Sequence, residues 1–384
     1  MAVVGGGIAG SAACLALTGL GIPTYLVAPH ESSVEKPGES LAAAAGSLLE
    51  RLGLNDLLAD PAHRQAHASF TSWGSSALLE RHASGQRGGL GHVVDRVRLE
   101  SALVAAVRRR DGLHLVAGHL SDARRTAAGW ELDIDTGQRI GTRFIIDATG
   151  RRAEIGRQLG GFRRLDRLIA AYAFLRQVDP DIDPTPATLI EAVPCGWWYA
   201  TLLADRRLVV HFYSDPDLMP RGLGRDVTAW RELAAGTSYI ARWIETAGFD
   251  LSQPPRLASA GTTWLETAAG PDWIAVGDAA ASFDPLSAHG MTTALWTGVE
   301  AAETLSLALQ GDIAATAHYA ARLRTGVERF NLERDTIYSR EVRFADKPFW
   351  RRRHGSLAGR TSRTTPEPTH IGLCVPKTSS ALLR

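Results

Sequence analysis

The apolar run Ala2-Val3-Val4 stops at Gly5-Gly6-Gly7-Ile8-Ala9-Gly10 and passes directly into Ser11-Ala12-Ala13-Cys14-Leu15-Ala16-Leu17. A β-branched run that ends on Gly-x-Gly-x-x-Gly and continues in a helical pattern is a strand, a tight turn and a helix N-terminus, which together make a dinucleotide site. Gly5 permits the turn, Gly7 lets a pyrophosphate approach the backbone, and Gly10 lets helix and strand pack closely. The free N–H groups and the helix dipole then favour the phosphate charge. A second apolar run, Thr24-Tyr25-Leu26-Val27, completes the context.

One part of the fingerprint is missing. The acid that binds the ribose hydroxyls is expected about 20 residues after the glycines, where the chain reads Val27-Ala28-Pro29-His30-Glu31, with Ala28 in the slot. Either Glu31 reaches back or backbone and water hold the ribose.

The 384 residues allow two or three domains and a substantial core. A formal net charge of +1 argues against a nucleic-acid binder by bulk attraction. The charge is uneven, since residues 343–384 hold nine Lys or Arg against two acids; a basic tail follows a mildly acidic body. Cys14, Cys195 and Cys374 are widely spaced and lack C-x-x-C, which suggests neither a disulfide framework nor a metal site and fits a reducing compartment. The N-terminal apolar run has no basic n-region and is broken by six glycines before residue 22, so it reads as core rather than leader. No later stretch is long and apolar enough for a bilayer. The expectation is a soluble, cytoplasmic protein without a membrane or nucleic-acid partner.

Farther along, a helical pattern runs through Leu48, Leu49, Leu52 and Leu54, and a helix capped by Asp95 carries Leu99, Ala102, Leu103, Ala106 and Val107 on one face. Residues 64–90, polar around Phe70-Thr71-Ser72-Trp73-Gly74, read as an excursion over a ligand. Strands are predicted over 113–117, 130–134 and 143–148. An antiparallel hairpin follows, Gly196 to Leu203 and Leu208 to Tyr213, around Ala204-Asp205-Arg206. Trp273 to Asp278 returns to a buried-strand pattern, and Met291 to Leu309 reads as a helix. Gly277-Asp278, then Pro285 and Gly290, is a strand ending on an acid, a loop and a second helix N-terminus. Such an acid can accept a bond from a ribityl hydroxyl, and such a helix end can face an electron-rich flavin edge.

Gly5 to Gly10, Gly38-Glu39-Ser40, Asp95-Arg96, Asp147-Ala148-Thr149-Gly150 and Gly277-Asp278 with Asp284-Pro285-Leu286-Ser287 stand in an order that resembles single-component FAD-dependent monooxygenases and the flavin-dependent halogenases related to them. The resemblance spans about residues 1–310. It implies an α/β fold in three parts. A Rossmann-like FAD-binding domain takes 1–65, 90–165 and 256–310; an inserted antiparallel β-sheet substrate domain takes 66–89 and 166–255; a helical, basic C-terminal segment takes 311–384. It also implies FAD held by Gly5, Gly7, Ala9, Gly10, Glu39, Ser40, Arg96 and Asp278, with its ring against the turn from Pro285 through Gly290 to Met291.

Within that superfamily, Cys195-Gly196-Trp197-Trp198-Tyr199 and Phe283-Asp284-Pro285-Leu286-Ser287 look most like flavoproteins that hydroxylate a tryptophan side chain of a partner protein during quinone cofactor maturation. The Trp-x-Trp-x-Ile-Pro signature of halogenases is absent, and so is their lysine, because no Lys occurs between 37 and 346. The chemistry implied is oxygen activation by reduced FAD toward an electron-rich ring, with NAD(P)H, reduced flavin or a separate reductase as electron source. Trp197, Trp198 and Tyr199 are the candidates for substrate contact, and strand alternation puts Trp197 and Tyr199 on one face and Trp198 on the other. His289 and His211 are the candidate proton carriers. No His/Cys/Asp cluster has metal spacing, and no Gly-x-Ser-x-Gly elbow suggests a hydrolase. Two alternatives stay open: a hydroxylase of a small or carrier-tethered aromatic metabolite, and a non-hydroxylating flavoprotein reductase or maturation chaperone. The cluster Phe349-Trp350-Arg351-Arg352-Arg353 reads either as a solvated helix end or as a docking surface for an acidic protein substrate.

Overall fold

Thr24–Ala28, Ala2–Val4, Ile145–Asp147 and Trp273–Ala275 lie side by side and parallel, extended by a parallel Leu113–Ala117 on one flank and an antiparallel Ala269–Gly270 on the other. The computed structural model describes residues 1–29, 35–86 and 88–358. Both faces are covered at the centre of this sheet, where Ala2–Val4, Ile145–Asp147 and Trp273–Ala275 are buried throughout and nearly all apolar, while the flanking Leu113–Ala117 is partly exposed. The helix Ile8–Gly19 crosses the helix Gly290–Leu309 at very close range, since a Cβ on Gly298 would meet Ala9 O at 2.5 Å. Small residues in Ser11-Ala12-Ala13 permit that approach. Asp95 caps the helix Arg96–Arg108 by accepting from Arg98 N at 3.0 Å, and Leu99, Leu103, Ala106 and Val107 are buried beneath it.

The inserted sheet has seven strands, in the order Arg256–Ser259, Ile169–Leu175, Leu208–Ser214, Gly196–Leu202, Ala187–Val193, Ala68–Ser72 and Leu79–His82. Its pairings are antiparallel except that of Ala187–Val193 with Ala68–Ser72, which is parallel. Two expectations change here. Residues 64–90 are not an excursion over a ligand, because Ala68–Ser72 and Leu79–His82 form the edge hairpin of this sheet. The strand Arg256–Ser259, read with the nucleotide-binding part, belongs to the same sheet at its opposite edge.

Beyond the second sheet, the helices Ala315–Ser339 and Pro348–Ala358 close an aromatic layer under the hairpin. Phe349 and Trp350 are fully buried there with Trp197 and Tyr338, and the partly buried Trp73 packs against them. Arg353 is also buried, with both Nη atoms on Asp215, and Arg352 pairs with Asp215 and Asp217. The 349–353 cluster is therefore an anchor, and the free docking surface expected of it is not there: a ring that must bury its area and a cation that must find a carboxylate both did so intramolecularly. The basic residues beyond 358 lie outside the described residues, as does Glu31. Among the described residues no helix is long and apolar enough to cross a membrane.

Candidate active site

Parallel register sets the glycine elements side by side. Val4 pairs with Val27 and Asp147, and Asp147 with Ala275, so the chain leaves neighbouring strands at one edge, at Gly5, Ala148 and Val276. That carboxyl edge is where open α/β sheets bind ligands. Gly5 has φ +112°, and a Cβ there would meet Ala148 O at 2.2 Å; a Cβ on Gly10 would meet Gly5 O at 1.9 Å. At Gly7 a Cβ would meet nothing within 4 Å. Two of the glycines are thus required by the fold and the third faces open space. The next turn is fixed by Asp147, whose Oδ1 accepts from Thr149 N and Oγ1 (3.0 and 2.6 Å) and whose Oδ2 accepts from Ile155 N and Gly156 N (3.0 and 2.8 Å).

These turns border a cleft of about 660 Å³ that opens to solvent. Of the residues singled out in the sequence, Gly5, Gly7, Ala9, Glu39, Ser40, Arg96, Asp278, Pro285, Gly290, Met291, Trp197 and Tyr199 line it. Gly10 lies beneath the turn. Trp198 does not reach the cleft: it is on the opposite face of the hairpin, stacked on Trp230 at 4.8 Å and packed against Phe212. Its substrate-contact assignment is corrected to core, for the reason that alternation gives. His289 stands at the N-cap of Gly290–Leu309, half-buried and outside the cleft wall.

His211 is also behind the wall. Glu39 and His211 are 2% and 1% exposed, with Glu39 Oε2 3.2 Å from His211 Nε2. His211 Nε2 has no aligned hydrogen-bond partner, so this is a close contact rather than an aligned hydrogen bond. Gly38 N donates to Glu39 Oε1 at 2.9 Å, and Val94 N to Glu39 O at 2.8 Å, which holds the Gly-Glu-Ser turn in place. On the other side of the imidazole, Nδ1 lies 3.1 Å from the Tyr213 hydroxyl. Tyr213 lines the cleft and stacks on Trp197 with centroids 4.0 Å apart. The Tyr199 hydroxyl is 3.0 Å from Ser40 Oγ. Burial first, and then the nearby Glu39 charge, push both phenols above their ordinary range, so they stay protonated.

Arg96 is partly committed to the protein: its Nη1 donates to Pro37 O at 2.7 Å and its Nε to Glu100 at 2.8 Å. Sequence reasoning missed Arg151, which lines the cleft, donates to Gly261 O at 2.6 Å and has its Nε 3.5 Å from Asp278. Its position directly after the Asp-Ala-Thr-Gly turn was the available signal. It also missed Tyr338 and Arg334, which hold Asp284 from the helix Ala315–Ser339 at 2.8 and 3.2 Å; no local motif marks them. The residues present fit FAD. Gly7 and Gly290 both line the cleft, and a Cβ on either would meet nothing within 4 Å, so the backbone at two strand-to-helix turns is free to receive phosphate and ring.

Residues 89–363 match the tryptophan halogenase family. The chain belongs to that family. Among curated relatives, LodB of Marinomonas mediterranea, described as an FAD-dependent oxidoreductase, is 26% identical over 250 residues, 63% of this chain and 67% of the relative. The solved structure of the peptidyl tryptophan dihydroxylase QhpG, essential for tryptophylquinone cofactor biogenesis, superposes with a TM-score of 0.75 at 23% identity, covering 92% of this chain and 78% of that one. The flavin-dependent halogenase CmlS gives a TM-score of 0.80 at 23% identity, covering 92% and 66%. At such identity these structures establish the shared fold. Family and relatives together make the protein an FAD-dependent, halogenase-like flavoenzyme. Among the described residues no group of three or more His, Cys, Asp or Glu could hold a metal ion.

Proposed function

We propose that the protein is an FAD-dependent monooxygenase that hydroxylates an indole ring, that of a tryptophan side chain in a partner protein, during quinone cofactor biogenesis. The observation that carries this reading is the aromatic wall of Trp197, Tyr199 and Tyr213, which faces the same open cleft as the glycine turns and is backed by the buried Glu39–His211 contact. Bound and reduced, FAD supplies activation of dioxygen toward an electron-rich ring. The chain's own groups do the rest. Gly7, Ala9 and the Gly290 helix end receive the cofactor's charge, while Asp278, braced by Arg151, accepts from a hydroxyl. Trp197 and Tyr213 present a flat face against which a substrate ring can stack. Oxygen insertion at a ring carbon releases that carbon's proton, and Glu39 lines the cleft to take it, with His211 in contact behind it. His289 remains a second proton carrier, at the head of the helix Gly290–Leu309.

The QhpG likeness supports a protein substrate. The test is mass spectrometry of tryptophan-containing peptides and of free indoles after incubation with the FAD-loaded protein, a reductant and isotopically labelled dioxygen. Labelled oxygen on peptidyl tryptophan is expected. Label on free indoles alone would transfer the function to a small-metabolite hydroxylase, and no label on either would leave a reductase or maturation chaperone.

A further inference from the structure

The seven-stranded sheet ends at Arg256–Ser259, which pairs with Ile169–Leu175 on one side and, among the described residues, with no strand on the other. Leu257 at its centre is 52% exposed. A groove of about 340 Å³ runs along this strand, walled by Arg164, Arg167, Pro216, Leu257, Ala258 and Ser259. Ala258 and Ser259 line the large cleft as well, so groove and cleft meet there.

Asp166 also lines the groove, but its carboxylate is taken up by the buried Arg334 at 2.7 Å and by the backbone N–H groups of Leu168 and Thr262. Within Arg163-Arg164-Leu165-Asp166-Arg167, Arg163 pairs with Glu266 at 2.6 Å. Arg164 only leans over the Phe162 ring, at 5.9 Å. Among the described residues neither Arg164 nor Arg167 has a carboxylate within ion-pair range. An open strand edge offers main-chain groups to any extended chain, and pockets and charges beside it decide which one is accepted. The remaining tail is the wrong sign, since residues 359–384 carry Arg360, Arg363, Lys377 and Arg384 against Glu367. A second copy paired edge to edge would set the same arginines against one another.

We propose that an extended, acidic segment of the protein substrate adds to the Arg256–Ser259 edge, sets its carboxylates on Arg164 and Arg167, and delivers its aromatic side chain into the cleft past Ala258 and Ser259. This rests on the peptidyl-substrate reading above. The probe is a short synthetic peptide with one Trp flanked by Glu and Asp, titrated by fluorescence anisotropy into the FAD-loaded full chain at low and high salt. Arg164→Glu with Arg167→Glu is expected to weaken binding about tenfold or more and to flatten its salt dependence. A Lys-flanked peptide should bind the native protein correspondingly worse. Backbone N-methylation at one of the two alternating sets of peptide residues should weaken binding about tenfold while the other set is tolerated. An unchanged flavin spectrum certifies that the charge-reversed protein is folded. No binding of the acidic peptide, equal binding by both proteins, or tolerance of both methylated sets would overturn the proposal. Equal oxygen incorporation by native and charge-reversed protein would sink the docking site and leave the hydroxylation standing. The predicted binding pattern without oxygen incorporation would do the reverse.

Discussion

The indole Nε1 of Trp197 donates to the Tyr338 hydroxyl at 3.0 Å, and that hydroxyl donates onward to Asp284 Oδ2 at 2.8 Å. Asp284 Oδ1 accepts from Leu286 N at 3.0 Å and so caps the turn that precedes Gly290. The helix Ala315–Ser339 thereby ties the aromatic wall of the cleft to the turn that precedes Gly290. Tyr338→Phe leaves the buried indole N–H without its partner while Arg334 still holds Asp284, so the cost should be about 1–3 kcal/mol. A denaturation midpoint lowered to that extent is expected, together with weaker FAD binding by fluorescence titration. Unchanged FAD affinity would mean that Asp284 does not shape the flavin site.

The glycines should separate folding from binding. Gly5→Ala puts a Cβ 2.2 Å from a carbonyl oxygen at φ +112°, a backbone conflict worth on the order of 2–4 kcal/mol. Gly7→Ala meets no protein atom within 4 Å, so its stability should match the native protein while FAD affinity falls. Equal FAD affinity in Gly7→Ala and native protein, by equilibrium dialysis, would remove Gly7 from the phosphate site.

Halide should not enter the product. With no Lys between residues 37 and 346, nothing in this part of the chain corresponds to the halogenase lysine, and an oxidised halide would have no side chain to capture and direct it. Oxygen incorporation is expected to be the same with and without chloride or bromide. A chlorinated or brominated product formed only by the intact enzyme would reverse this.

The sequence carried the parts of this site that are set by local backbone chemistry. Gly5, Gly10 and Asp95 do in the structure what their spacing implies, because turns and caps are decided within a few residues. The hairpin alternation separated Trp197 from Trp198 for the same reason. What it could not carry depends on distant partners: Tyr338 lies 141 residues from the Trp197 indole it accepts from. Residues 64–90 misled because edge strands are short and polar, and composition alone does not distinguish them from a loop. Phe349 to Arg353 misled because a cationic, aromatic run looks the same whether its partner is another protein or Asp215.

The buried phenols should make the fold sensitive to alkali. Tyr199, Tyr213, Tyr319 and Tyr338 all have hydroxyls pushed upward, by burial before any other cause. Unfolding returns each to a value of about 10, so above that pH the folded chain binds more protons than the unfolded one and stability falls as pH rises. Four of the seven tyrosines should therefore stay un-ionised by ultraviolet difference spectroscopy until the protein unfolds, and the denaturant midpoint should drop once pH exceeds about 10. Gradual ionisation of all seven in the folded protein would contradict the burial.

The three consecutive arginines of the last described helix should behave as three different residues. Arg353 is buried, forks onto Asp215 at 2.8 and 3.2 Å, and covers the Phe349 ring at 3.5 Å. Breaking a buried pair typically costs about 3–5 kcal/mol because it strands a charge, but Arg352 also contacts Asp215 at 2.8 Å, which favours the lower end for Arg353→Ala. Arg351 is exposed, and Arg351→Ala should stay within about 0.5 kcal/mol of the native protein. Replacing all three together would mix loss of the Asp215 anchor with loss of surface charge, so any effect on partner association could be read either way. Denaturant midpoints of the single variants decide it: a large loss for Arg353→Ala beside none for Arg351→Ala identifies an anchor, and equal small losses would mean that Asp215 is content without its fork.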